Sequence, residues 1–177
     1  MLKIQNSNLP LNTNEITKFE KSIKLHLPRD YKNFLCEYNG GQPNMRTFDF
    51  MGDSNDGSNV DSFFGINHPL EIQSIEYILR VFSHRIPKEL FPIARDSYGN
   101  IICLCIQGAN LGRVYFWDHE NEQMDPTKGP WWENIYLVAN SFTEFLGGLY
   151  KFDIDEKGNE IREYQDGKTI ITSAKNV

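Results

Sequence analysis

Three short apolar runs separated by two turn signals lie within residues 91–117, which read FPIARDSYGNIICLCIQGANLGRVYFW. The runs at residues 91–95, 101–106 and 112–117 are typical of strands, because they are bounded by clusters of Gly, Asn and Asp. The middle run is apolar on both faces, which places it at the centre of a sheet. This stretch therefore predicts a three-stranded antiparallel meander.

Helical spacing of apolar residues appears on both sides of this meander. It predicts helices over residues 13–25, 28–38 and 74–82, each with an apolar stripe along one side. Ser141 and Glu144 have the spacing of a capping box, so a last helix is predicted over residues 142–150. The fold class that follows is α+β, with N-terminal helices packed on an antiparallel meander sheet and a closing C-terminal helix.

Shorter runs complete the predicted elements. Residues 47–51 and 63–66 indicate two short strands, and the apolar residues 135–139 indicate another strand beside the meander. Residues 52–62, GDSNDGSNVDS, are predicted to form a polar loop.

The domain organisation predicted is a folded unit at residues 1–150 followed by an extension at residues 151–177. The extension alternates weakly between polar and apolar residues and contains the turn signals Lys157-Gly158-Asn159 and Asp166-Gly167-Lys168. It is expected to be either a hairpin at the edge of the fold or a mobile tail.

The charge of the chain is acidic and unevenly distributed. The formal net charge is −6 over 177 residues, which argues against direct binding of polyanionic nucleic acid. Residues 44–76 and 115–145 each contain six acidic residues and one basic residue. Either these segments are solvated loops that maintain solubility, or they meet in space and form an acidic face that steers a basic partner.

Motifs for catalysis or metal binding are not found in the sequence. A nucleophile elbow, a Walker A loop and a zincin motif are missing, and the odd count of three cysteines argues against a disulfide framework. Cys103 and Cys105 are predicted to be buried free thiols. We expect no enzyme activity, no cofactor and no metal, and the chain lacks the apolar run of about 20 residues that a membrane span needs. A cytoplasmic location is expected.

Four motifs resemble the SUKH superfamily, also described as the fungal cell-wall-synthesis-regulator-like family. In chain order they are LPRDYKNFL at residues 27–35 with YNGGQP at 38–43, LFPIA at 90–94, GRVYFWDHE at 112–120 and SFTEFL at 141–146. The resemblance implies an α+β domain that is not an enzyme. It implies immunity proteins against toxins, often nucleases, among bacterial members and regulatory interaction proteins among eukaryotic members. Its motifs mark fold residues, so no toxin-contact residue is carried over from them.

The charge pattern and the resemblance together favour a cytoplasmic immunity protein whose acidic face binds a basic toxin domain, most simply a nuclease. An apolar anchor among the acids would be an exposed Trp, a residue enriched at protein interfaces. The residues predicted to contact the partner are Asp53, Asp56, Asp61, Asp118, Glu120, Glu122 and Trp131. Two alternatives remain open: a regulatory scaffold for an endogenous protein, and a hydrolase that uses Asp118, His119 and Glu120.

Overall fold

The structure is a computed structural model that describes residues 2–125 and 127–173, except for the side chains of residues 54 and 55. The described helices are α1 (Thr13–Ile23), α2 (Arg29–Glu37), α3 (Ile75–Phe82) and α4 (Phe142–Gly148). The described strands are β1 (Ile4–Gln5), β2 (Gln42–Pro43), β3 (Thr47–Phe50), β4 (Asp53–Asn59), β5 (Ser62–Phe63), β6 (Leu90–Arg95), β7 (Ile101–Cys105), β8 (Val114–Trp117), β9 (Ile135–Ala139), β10 (Tyr150–Ile154), β11 (Glu160–Tyr164) and β12 (Thr169–Thr172).

The meander sheet contains five antiparallel strands in the order β5-β6-β7-β8-β9. β7 lies in the middle, and all five of its residues are buried. This arrangement confirms the predicted meander and the central position of its most apolar run. The predicted α+β class is confirmed as well, because helices precede the meander in the chain and α4 follows it.

The helices pack on the meander sheet through aromatic side chains. Tyr31 and Phe34 of α2 contact Phe142 of α4, with ring centroids 5.0 Å and 5.3 Å apart. Phe34 also lies 4.8 Å from Phe63 of β5. Such pairs add specific geometry to the apolar burial that drives folding. Within residues 2–125 and 127–173, no helix combines the length and the apolar character required to cross a membrane.

The second sheet contains β12-β11-β10-β3-β4 and was not anticipated. The prediction of a loop over residues 52–62 was wrong, because β4 lies within it and pairs with β3 from Thr47↔Asn59 to Asp49↔Gly57. β4 is an edge strand held by backbone hydrogen bonds, so its side chains need no apolar alternation. Gly57 is required there, since an added Cβ would collide with the carbonyl oxygen of Phe48.

The C-terminal strands extend this second sheet. β10 begins two residues after the end of α4 and joins β3 through the pair Tyr150↔Thr47. The two predicted turn signals lie between β10 and β11 and between β11 and β12. Residues 150–172 therefore form three consecutive antiparallel strands, and residues 174–177 lie outside the described part of the chain.

Candidate interaction groove

An open groove of about 710 Å³ is lined by residues of both sheets. One wall comes from β3 and β4 together with β10 and β11 of the second sheet. The other wall comes from β8 and β9 and from the turn that joins β6 to β7. The groove is therefore built by elements that are far apart in the chain.

The meander wall is ordered by strand geometry. Phe116 and Asp118 are two residues apart, so their side chains point to the same side of the sheet, and Tyr136 is the cross-strand partner of Phe116. Asp118 follows the end of β8 and is held there by Asn134. The backbone N of Asp118 donates to the Asn134 carbonyl at 3.0 Å, and Asn134 Nδ2 donates to the Asp118 carbonyl at 2.6 Å.

The floor of the groove is aromatic. Phe50 stacks on Tyr136 with ring centroids 4.9 Å apart and an interplanar angle of 13°, and it also lies 5.1 Å from Phe116. Tyr136 is 38% exposed, and Phe152 on the facing strand β10 is 40% exposed. These two rings offer stiff apolar surface inside an open cleft, which is typical of contact surfaces for a partner.

The lining of the groove is acidic. Among the described residues that line it, six carry carboxylates and one carries a guanidinium: Asp49, Asp56, Asp96, Asp118, Glu120 and Glu160, with Arg162. Carboxylates that share a cleft with low-dielectric walls focus their field into it. The groove therefore attracts positive charge.

Asp49, Tyr150 and Arg162 form a network at the base of the second sheet. Arg162 Nη1 lies 2.7 Å from Asp49 Oδ2, and the Tyr150 hydroxyl donates to Asp49 Oδ1 at 2.6 Å. The Arg162 guanidinium lies over the Tyr150 ring, 5.1 Å from its centroid. The pKa of Tyr150 is raised well above its ordinary value. Burial is the largest cause, and the hydrogen bond to Asp49 is the second. The network keeps the phenol neutral and attaches β11 to β3.

Three of the residues predicted to contact a partner line this one groove: Asp56, Asp118 and Glu120. Asp56 comes from the first acidic segment and the other two come from the second, so these segments do meet in space. Asp53 lies at the start of β4 with an exposed side chain and does not line the groove.

Two other predicted contact residues are engaged by arginines of this chain. Asp61 lies 3.1 Å from Arg46 and 3.3 Å from Arg95, so its charge is compensated. Glu122 accepts two hydrogen bonds from Arg85, at 2.8 Å and 2.6 Å. Neither carboxylate lines the groove.

The tryptophan pair lies away from the groove. Trp131 is half-buried and donates from Nε1 to the Asn121 carbonyl at 3.3 Å. Trp132 is 44% exposed and packs edge-on against Tyr115, 5.7 Å between centroids. Of the two indoles, Trp132 therefore presents the larger open surface.

The lining residues that were not selected from the sequence include Asp49, Tyr136, Phe152, Glu160 and Arg162. Phe152, Glu160 and Arg162 lie in the extension, which carries only a weak polar–apolar alternation. The alternation in β10 was the available signal, but it does not say which sheet the strand joins. Asp49 and Arg162 are separated by 113 residues, so their pairing leaves no local pattern.

The hydrolase alternative requires hydrogen bonds among the side chains of Asp118, His119 and Glu120. The side chains of His119 and Asp118 instead bond to other groups. His119 Nδ1 lies 2.7 Å from Asn100 Oδ1, which also accepts from the His119 backbone N at 3.0 Å. Asp118 accepts from the Glu120 backbone N and from Asn121. No hydrogen bond links His119 to either neighbouring carboxylate in the described chain. Across the described ranges, no group of three or more His, Cys, Asp or Glu residues is arranged to hold a metal ion.

Comparison with known proteins decides the family. The model of the SMI1 / KNR4 family (SUKH-1) matches residues 10–148 of the chain. The chain belongs to this family. SUKH-1 domains have an immunity-type fold and are generally non-enzymatic immunity or regulatory domains. The resemblance to the SUKH superfamily seen in the sequence is thereby confirmed.

A curated relative extends the comparison to a bacterial prophage protein. The chain is 31% identical over 156 residues to the "SPbeta prophage-derived uncharacterized protein YokK" of Bacillus subtilis (strain 168). The match covers 78% of this chain and 75% of that protein. Four residues of the groove lie beyond the part of the chain that the SUKH-1 model matches: Tyr150, Phe152, Glu160 and Arg162.

Proposed function

We propose that this SUKH-1 protein is an immunity protein that binds and neutralises a toxin domain in the cytoplasm, with the groove as the contact site. The observation that carries the proposal is the meeting of two separate acidic segments, through Asp56, Asp118 and Glu120, above an aromatic floor. Membership of the family supports an immunity function, and the negative charge of the groove supports a partner with a basic surface.

A nuclease is the toxin class that fits this groove best. Nucleases bind a polyanion and therefore carry basic substrate clefts. An acidic protein that occupies such a cleft excludes the nucleic acid and uses the same electrostatic attraction. The exposed rings of Tyr136 and Phe152 would add the apolar contact that charge alone does not provide.

Affinity capture followed by growth rescue tests this proposal. The tagged full chain is used as bait in its host, bound proteins are eluted with a salt gradient and identified by mass spectrometry, and the captured protein is expressed in a heterologous host. We expect a basic protein that elutes at moderate salt and arrests growth, and we expect co-expression of this chain to restore growth.

A matched pair of variants makes the rescue specific to the groove. Asp56→Lys with Glu120→Lys reverses two groove charges, and we expect it to abolish rescue. Glu37→Lys with Glu156→Lys makes the same change in net charge at exposed positions off the groove, and it should rescue like the wild type. A captured housekeeping protein whose binding does not depend on salt would contradict the immunity function and favour the regulatory scaffold.

A further inference from the structure

The described chain contains three arginines that lie over aromatic rings and pair with carboxylates: Arg80, Arg85 and Arg162. Arg162 lies over Tyr150 and pairs with Asp49. Arg85 lies 4.8 Å from the centroid of Phe82 and pairs with Glu122. A planar guanidinium suits such places, because it stacks on a ring face while its edge donates to a carboxylate.

The groove repeats this chemistry at a place where no cation of the described chain supplies the guanidinium. The stacked pair Phe50–Tyr136 forms a platform whose Tyr136 ring is partly exposed. Asp118 is on the same side of the meander sheet as Tyr136, and Glu120 lines the same groove. Arg162 is the one cationic residue among the described lining residues, and Asp49 holds it.

We propose that the groove is a binding site for an arginine side chain carried by the partner polypeptide, with its guanidinium over Tyr136 and its donors directed to Asp118 and Glu120. Phe152 and Glu160 line the same groove from the second sheet. The identity of the partner rests on the proposed immunity function, whereas the arginine site itself can be tested without that partner.

The occupant is a polypeptide segment for two physical reasons. The groove of about 710 Å³ is much larger than one guanidinium group and has room for several residues around it. Free arginine also carries a charged α-ammonium and a charged α-carboxylate, and both lose hydration when they enter the groove. A residue within a chain carries the guanidinium without these two charges.

Arginine is preferred over lysine because of the aromatic floor. Lysine carries a compact, strongly hydrated ammonium that satisfies a carboxylate but stacks poorly, whereas the arginine fork does both. The groove should therefore distinguish the two cations, which a merely acidic surface would not do.

The test is a titration of the isotope-labelled full chain with three probes, followed by amide NMR. The probes are the blocked pentapeptide Gly-Arg-Gly-Arg-Gly, its lysine counterpart and free L-arginine. We expect saturable shifts of the amides of Glu120, Tyr136 and Phe152 with the arginine peptide. The lysine peptide should bind at least about fivefold more weakly, and free arginine more weakly again.

Variants assign the effect to the groove. Tyr136→Leu should weaken binding of the arginine peptide at least about fivefold and remove its advantage over lysine. Glu120→Gln alters one exposed side chain, so it keeps the proposal testable if Tyr136→Leu does not fold. Tyr77→Leu, which lies on α3 away from the groove, is the control and should bind as the wild type does.

Equal affinity for the arginine and lysine peptides, shifts confined to other surfaces, or unchanged binding by both groove variants would overturn the arginine site. Such a result together with successful toxin capture would leave the immunity function standing. Conversely, arginine-selective binding in the groove without any toxin would support the site and contradict the immunity function alone.

Discussion

At the scale of the residue, hydrogen bonds separate two kinds of carboxylate in the groove. Asp96 is 2% exposed and accepts three hydrogen bonds from the turn between β6 and β7 and one from Ser58 of β4. Asp49 binds Arg162 and Tyr150. Within the described chain, Asp56 accepts only from the neighbouring Gly57 N, and Glu120 forms no ion pair. Substitution of Asp56 and Glu120 therefore changes the field of the groove, and within the described chain it removes no ion pair and only the hydrogen bond from Gly57.

Ionisation of Tyr150 makes the free energy of unfolding depend on pH. Its pKa is raised in the folded chain by burial and by the bond to Asp49, so its contribution to stability is complete below the unfolded pKa of about 10. That contribution is lost as the pH rises from about 10 towards the folded pKa. We expect the free energy of unfolding to fall above pH 10, by on the order of 1 kcal/mol per pH unit from this residue.

Urea unfolding between about pH 8 and pH 11 measures this effect. Tyr150→Phe should show a shallower decline than the wild type, although Tyr31, whose pKa is also raised by burial, contributes in both proteins. Parallel declines for the two proteins would show that Tyr150 ionises with the same pKa in the folded and unfolded states.

At the scale of the element, the C-terminal strands are attached to the rest of the fold mainly by side-chain contacts. The register of β10 with β3 consists of the single pair Tyr150↔Thr47, so backbone pairing alone holds the junction weakly. The Arg162 side chain is 16% exposed and Asp49 is 27% exposed, and their ion pair joins β11 to β3 across β10. The wall of the groove formed by β10 and β11 is therefore held in place by this contact.

Arg162→Met should destabilise the protein by about 2 kcal/mol, because a half-buried carboxylate loses its cation and keeps only the Tyr150 hydroxyl. Lys151→Met is the matched control. It removes a 3.8 Å pair with Glu163 in which both side chains are more than half exposed, and we expect a cost below about 1 kcal/mol. Chemical denaturation measures both, and equal costs would contradict the role given to Arg162.

At the scale of the whole molecule, the central sheet and the helices followed from local patterns. Apolar runs between turns predicted β6, β7 and β8, and helical spacing predicted α1, α2 and α3, because burial of a face imposes a period on the sequence. The Ser141 side chain caps α4 as predicted, by accepting from the Glu144 backbone N at 3.0 Å. The Glu144 carboxylate, however, accepts from Asn140 N, so the reciprocal half of the capping box is not formed.

The groove could be predicted only in part. The acidic segments were visible as charge, and the hypothesis that they meet rested on that charge alone. What joins them is a contact between β3 and β9, where Met51 N donates to the Leu137 carbonyl at 2.7 Å and Phe50 stacks on Tyr136. The sequence does not show that Asp61 and Glu122, unlike Asp56 and Glu120, are paired with arginines. Their arginine partners are 15 or more residues away in the chain.

The measurement that tests the central claim most directly is the association rate of the captured partner, followed by stopped-flow fluorescence at several salt concentrations. We expect the wild-type rate to fall steeply as salt rises, and we expect Asp56→Lys with Glu120→Lys to lower it about tenfold or more at low salt. The control pair Glu37→Lys with Glu156→Lys should change it far less. Equal rates for the two double variants, or a wild-type rate that does not depend on salt, would contradict an acidic groove that attracts a basic partner.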